Sequence, residues 1–262
     1  MNFRLARVCG IPVEINISWL FIFVLLSYAV GFGFIAQVHP MLTNLQALGF
    51  GAAAALVLFV CLFAHELSHA LAARRFGIRT HAITLFLLGG IAQLEDEPDT
   101  WQHEMAVALA GPAISLLCAC FFAIVWIALP GGSIWATIAF YLAFANTVMA
   151  ALNLLPGLPL DGGRVLRSFL WRAFDNRLGA TRVASWTGVM IGLGTAALGA
   201  AILVGQADPS GLWLVFIGWF VNSAASECWK RELERATPEE ARRFAHGLIH
   251  ARQSGPMLPR LR

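Results

Sequence analysis

His65, Glu66 and His69 stand together in the run His65-Glu66-Leu67-Ser68-His69. Histidines four residues apart share one face of an α-helix, where two imidazoles can hold a single Zn2+. The glutamate between them is placed to take a proton from water at that ion. The run lies inside an apolar stretch, Leu48 to Ala73, long enough to cross a bilayer. An ionisable group at the centre of such a segment costs about 2.5 kcal/mol or more, so three of them mark a functional site. The reading that follows is a hydrolytic metal site below the membrane surface. His65 precedes Arg74 by nine residues, which is about 13–14 Å of helix.

A catalytic zinc takes three protein ligands and keeps one position open, so two histidines are one ligand short. The candidate for the third is Asp161, in Asn153-Leu154-Leu155-Pro156-Gly157-Leu158-Pro159-Leu160-Asp161-Gly162-Gly163. Pro156, Gly157 and Pro159 interrupt the helix before it, and Gly162-Gly163 permit close backbone approach. The competing reading makes Asp161 a cap for a helix over Gly163–Phe174. Capping alone leaves the proline- and glycine-rich approach unexplained.

The elements that must position these residues are apolar helices. Hydrophobic residues make up 58% of the chain and charged residues 13%, against roughly 25% charged in soluble domains. Six spans are predicted, at about Ile17–Val38, Leu48–Ala73, Met105–Leu129, Ile134–Leu155, Val183–Val204 and Leu212–Trp229. The connections between the first and second, third and fourth, and fifth and sixth spans contain no Lys or Arg. All 18 basic residues fall on the opposite side. That asymmetry puts both termini in the cytoplasm. Spans two and four then both run inward, delivering the histidine pair and Asp161 to the same half of the bilayer. A cleavable signal peptide is not expected, because the first apolar run starts only near Ile15 and no small-residue cleavage site follows it.

Val13, Ile15 and Ile17 alternate with Glu14, Asn16 and Ser18, a strand-like period of two. Ile78 to Leu94, interrupted by Gly89-Gly90, predicts one or two further strands at the cytoplasmic face. In the third span, Ala110-Gly111-Pro112 predicts a kink. In the fifth, Gly188-x-x-x-Gly192 predicts close helix packing. Thr237-Pro238-Glu239-Glu240 opens an amphipathic helix, and a disordered tail follows from Gln253. The five cysteines show no C-x-x-C pairing and read as small buried hydrophobes. His39 falls in an external loop, His81 on a surface strand and His103 ahead of the third span; His246 and His250 lie on the tail helix. The basic residues form no single patch for nucleic acid, and Arg164, Arg167, Arg172, Arg177 and Arg182 read as anchors to the anionic leaflet.

Together, His65-Glu66-Leu67-Ser68-His69 and Asn153-x-x-Pro156-x-x-Pro159-Leu160-Asp161-Gly162-Gly163 resemble the paired signature of the site-2 protease family of intramembrane metalloproteases. The resemblance covers roughly Asn2 to Trp229, including the Gly89-Gly90 region and the Ala-Gly-Pro of the third span. It implies one zinc held by His65, His69 and Asp161, catalysis by Glu66, and an oxyanion-steadying role for Asn153. It also implies transmembrane or membrane-anchored protein substrates, cut near their cytoplasmic ends, and a regulatory membrane protein as a further partner. Six spans resemble the subgroup that carries CBS domains. The 33 or so residues after Trp229 leave no room for a CBS or PDZ domain, which removes nucleotide sensing from the expectation but not the chemistry.

The expected fold is therefore an all-α polytopic membrane protein, six transmembrane helices with a small membrane-associated β-sheet on the cytoplasmic side. Residues 1–230 form the metalloprotease core and 231–262 a short cytoplasmic helix and tail. The compact six-span form suits a prokaryotic inner or plasma membrane. Two other classes compete. A transporter would use the His/Glu/Asp cluster as an ion or proton path, but its expected internal repeat is not visible. An idle adaptor would keep zinc as structure, yet a structural zinc needs no carboxylate such as Glu66 beside it.

Overall fold

The computed structural model describes residues 2–86 and 89–237. Two compact units emerge, divided between Leu154 and Leu155. The first opens with a hairpin, β1 (Asn2–Val8) and β2 (Ile11–Asn16), turned at Cys9 and Gly10 with φ of 52° and 82°. Two successive left-handed residues match the twist of a tight hairpin. Helix α1 (Ser18–Val38) follows, with one π-helical turn at Gly31–Ile35, then α2 (Asn44–Arg75). The chain returns to the sheet as β3 (Thr80–Phe86) and β4 (Gly89–Leu94), and continues as α3 (Trp101–Ala128) and α4 (Ile134–Asn153).

Strand order is β1-β2-β3-β4, with β2 and β3 parallel and the other pairs antiparallel. The parallel pair needs a crossover, and α1 with α2 supply it. β4 forms an edge. Of the one or two strands expected between spans two and three, both are present, and β1 adds a strand that was not expected. Arg74, at the end of α2, donates from Nη1 to the Cys9 carbonyl at 2.9 Å and ties helix to hairpin.

The second unit holds α5 (Asp161–Phe174), α6 (Arg177–Gly205) and α7 (Ser210–Arg235). Gly188 and Gly192 mark close approach as expected: a side chain at Gly192 would meet the backbone of Gly218 and Asn222 on α7.

Polarity is distributed as a lipid solvent requires. Phe21, Ile124 and Ile127 point outward at 65%, 67% and 78% exposure, while the inward faces carry Ala, Gly, Ser and Asn. On α2 the inward face runs Ala47, Gly51, Ala54, Ala55, Phe59, Cys61, His65, His69 and Ala73. Small residues there let helices approach where no hydrophobic effect drives them together. Among the described residues, five helices are long and apolar enough to span: α1, α2, α3, α4 and α6. The chain is a multi-pass membrane protein. At the sixth expected position α7 is helical, but Glu227, Lys230, Arg231, Glu232, Glu234 and Arg235 shorten its apolar part.

Several expectations need correction. His103 does not precede the third helix but sits in its first turn, stacked on Phe76 with ring centroids 4.1 Å apart. Cys9 and Cys120 are exposed, unlike buried Cys61. Arg167 and Arg177 do not reach outward to lipid, because both pair with Glu232 inside the second unit. The tail helix from Pro238, with His246 and His250, lies outside the described residues.

Candidate metal centre

The histidine pair is built by α2 and α3 together. His65 and His69 are 2% and 5% exposed, so neither ring can be satisfied by bulk water. Each is gripped at Nδ1. His69 Nδ1–H donates to the Val107 carbonyl at 2.7 Å, and His65 Nδ1 is 2.8 Å from Ser115 Oγ. A carbonyl only accepts, which fixes His69 as the tautomer whose Nε2 carries a lone pair. The Ser115 hydroxyl can accept from Nδ1–H, the direction that would give His65 the same tautomer. A partner behind each ring is the usual way a metal-ligating histidine is oriented.

The two Nε2 atoms lie 3.2 Å apart, with the rings nearly perpendicular at 78°. Two nitrogens at zinc–ligand distance in a tetrahedron are separated by about 3.3 Å, so the pair fits the ion. Gly111 leaves room for the two rings. A Cβ at Gly111 would collide with Nε2 of both His69 and His65, so α3 supplies a bare backbone patch under the imidazole tips. Pro112 beside it stays within a continuous α3. The sequence marked Ala110-Gly111-Pro112 only as a kink. Its more direct role is room, and the signal was a glycine in a span that must pass the histidine helix. Ser115 was missed altogether; a lone serine in an apolar run is weak evidence until its partner is known.

Glu66 is half-buried on α2, next to β4. A Cβ at Gly90 would overlap Glu66 Cγ and stand 3.1 Å from Cδ. The edge strand therefore passes directly over the glutamate side chain.

In the second unit, Asp161 is the first residue of α5. Leu160, not Asp161, occupies the cap position, and it makes no side-chain cap hydrogen bond. The helix thus starts two residues before the expected Gly163, and the capping reading of Asp161 is not what the backbone adopts. The Pro-Gly segment before it is seated on α6. Leu158 N–H donates to the Ala184 carbonyl at 2.9 Å, and a side chain at Gly188 would strike the Leu158 carbonyl. The Leu158–Pro159 peptide is cis. Asn153 closes α4 in the first unit, half-buried.

Of the other histidines, His39 bonds Thr137 Oγ1 at 2.8 Å, and exposed His81 lies 3.5 Å from Glu95. His39 thereby links the end of α1 to α4, and His81 links β3 to the residue after β4.

Comparison with known proteins is consistent with this chemistry. Two bacterial relatives carry "zinc metalloprotease" in their names. Rip3 of Mycobacterium tuberculosis is 38% identical over 233 residues, covering 85% of this chain and 57% of that protein. The sll0528 protein of Synechocystis is 36% identical over 245 residues, covering 92% and 64%. The chain thus spans about three-fifths of the length of these curated relatives. The solved site-2 protease from Methanocaldococcus jannaschii superposes with a TM-score of 0.59 at 25% identity, over 87% of this chain and 95% of that one. The model of peptidase family M50 matches residues 53–137 and 132–196, more than half of the sequence, and His65, Glu66 and His69 fall within it. The chain belongs to peptidase family M50.

Proposed function

We propose that this protein is an intramembrane zinc endopeptidase that hydrolyses peptide bonds within or next to the transmembrane segments of membrane-anchored proteins. The observation that carries the reading is the buried pair of imidazoles, fixed at Nδ1 with Nε2 atoms 3.2 Å apart, beside a glutamate and inside an apolar helix. We assign one zinc to His65, His69 and Asp161. The zinc supplies a Lewis acid that lowers the pKa of water toward about 7 and polarises the scissile carbonyl.

The chain's own groups do the rest. Glu66 accepts the proton of the attacking water and returns it to the departing amine. The Asn153 amide donates to the developing oxyanion. A substrate helix hides its peptide bonds, so it must unwind locally before it can be cut. An extended segment adding to the β4 edge would run beside Glu66, because Gly90 already lies against that side chain. Replacing Gly90 by proline should cut cleavage while zinc content stays at the wild-type level.

The membrane arrangement goes with this reading. α7 is the sixth span, and the metalloprotease core ends near residue 230, within the last turns of that helix. Both termini face the cytoplasm, following the charge asymmetry of the loops. The location is the inner or plasma membrane of a prokaryote. The partners of this reading are the bilayer and a membrane-anchored protein substrate, with a place left for a regulatory membrane protein and none for nucleic acid.

The deciding comparison measures zinc by mass spectrometry and cleavage of a membrane-anchored reporter. Glu66→Gln should keep zinc and lose cleavage by about 10²–10⁴-fold. His65→Ala should lose both. Normal cleavage by Glu66→Gln would remove the assigned base and, with it, the mechanism.

A further inference from the structure

We infer that Glu232 is a positioning residue for Asp161: one buried carboxylate on α7 holds the short helix whose first residue is that aspartate. The inference rests on the proposed role of Asp161 as a ligand. Glu232 is 9% exposed and Arg167, on α5, is 7% exposed. Glu232 Oε2 lies 3.7 Å from Arg167 Nη1, and Oε1 lies 3.2 Å from Arg177 Nε at the start of α6. The Arg177 guanidinium in turn stands 5.4 Å over the ring of Trp171 on α5. One carboxylate thereby ties three helices together, and α5 is held at two points one turn apart.

α5 needs such a device. It has 14 residues, near the length at which an isolated helix is only marginal. Much of its apolar surface is outward, with Phe169 and Phe174 58% and 71% exposed. An apolar contact alone tolerates rotation and sliding of a short helix. Charge pairs sharing one buried carboxylate restrict both, and specifying one arrangement is the best-attested use of buried ion pairs. Arg167 follows Asp161 by six residues, about 9 Å along the axis. A small rotation at Arg167 would therefore swing the carboxylate at the helix head away from its ion. The same cluster explains why Arg167 cannot serve as a lipid anchor.

The test uses the full-length protein in nanodiscs, with Zn2+ affinity from chelator competition and the visible spectrum of Co2+ as a coordination signature. Glu232→Gln and Arg167→Gln should each weaken Zn2+ binding by about 10–100-fold, the range seen when groups supporting a ligand are removed. The double variant should be no worse than the weaker single, since both break one unit. Glu227→Gln, which removes an exposed pair with Arg231 on the same helix, should change nothing. Wild-type Zn2+ affinity and an unaltered Co2+ spectrum in Glu232→Gln would overturn the inference. Should that variant not fold, Arg177→Gln removes one partner from the cluster's more exposed side; a smaller loss supports positioning, and none refutes it. Asp161→Ala separates the two claims. If it binds zinc normally, the ligand assignment fails and positioning falls with it. If it loses zinc while Glu232→Gln does not, positioning alone fails.

Discussion

In the first unit, the histidine pair is fixed by neutral, short-range contacts: two imidazoles four residues apart on one helix, each bonded from behind by Ser115 or Val107, over the bare backbone of Gly111. In the second unit, Asp161 stands at the head of a short helix. The segment before it is seated by the Leu158–Ala184 hydrogen bond, and the helix behind it is tied by the Arg167–Glu232–Arg177 cluster. The difference follows from local structure. An α-helix spaces residues i and i+4 correctly by its own pitch, so the histidines need only ring orientation. A residue after a broken helix inherits no such spacing and must be located by packing and by charge. The two regions should fail differently when disturbed.

The largest effect is expected in the first unit. Gly111→Val puts a branched side chain where both Nε2 atoms lie, and rings pinned at Nδ1 cannot retreat. Zinc should be absent after purification while far-UV circular dichroism shows the helices intact. Retention of zinc would mean that the rings are less constrained than their hydrogen bonds indicate. Next comes Gly188→Val in the second unit. Its clash is with the Leu158 carbonyl, a backbone atom, so overpacking should lower stability by about 1–3 kcal/mol. Zinc should weaken as well, because the segment leading to Asp161 is pushed off α6. Thermal unfolding with and without zinc would separate the two losses. The smallest effect belongs to Ser115→Ala, which leaves α2 and α3 packed and removes only the partner of His65. Zinc affinity should fall about 10–100-fold with little change in melting temperature. A variant that melts early but binds zinc normally would reverse the roles given to the two regions.

Much of the first unit was legible beforehand. His65-Glu66-Leu67-Ser68-His69 is a local pattern whose geometry is set by helix pitch, and Val13, Ile15 and Gly89-Gly90 flagged the sheet through alternation and breaks. β1 escaped because the alternation of Asn2–Val8 slips by one residue at Leu5-Ala6, where the ladder to β2 shifts register. Ser115 and Gly111 escaped as site residues because their importance lies in what another helix places opposite them. Arg167 and Arg177 were misread for the same reason: a basic residue near a membrane surface reads as a lipid anchor until a buried Glu232 is found within reach.

Legible in the sequence were the apolar spans, the loop-charge asymmetry, the helical spacing of His65 and His69, and the interruption that separates Asp161 from the helix ending at Asn153. Each depends on neighbours along the chain, which are written in order. What the tertiary structure added is which imidazole nitrogens converge, what lies against position 111, and which carboxylate pairs with Arg167 on α5. Those depend on atoms from helices far apart in sequence meeting at van der Waals and hydrogen-bond distance, and no periodicity along one strand of text encodes that.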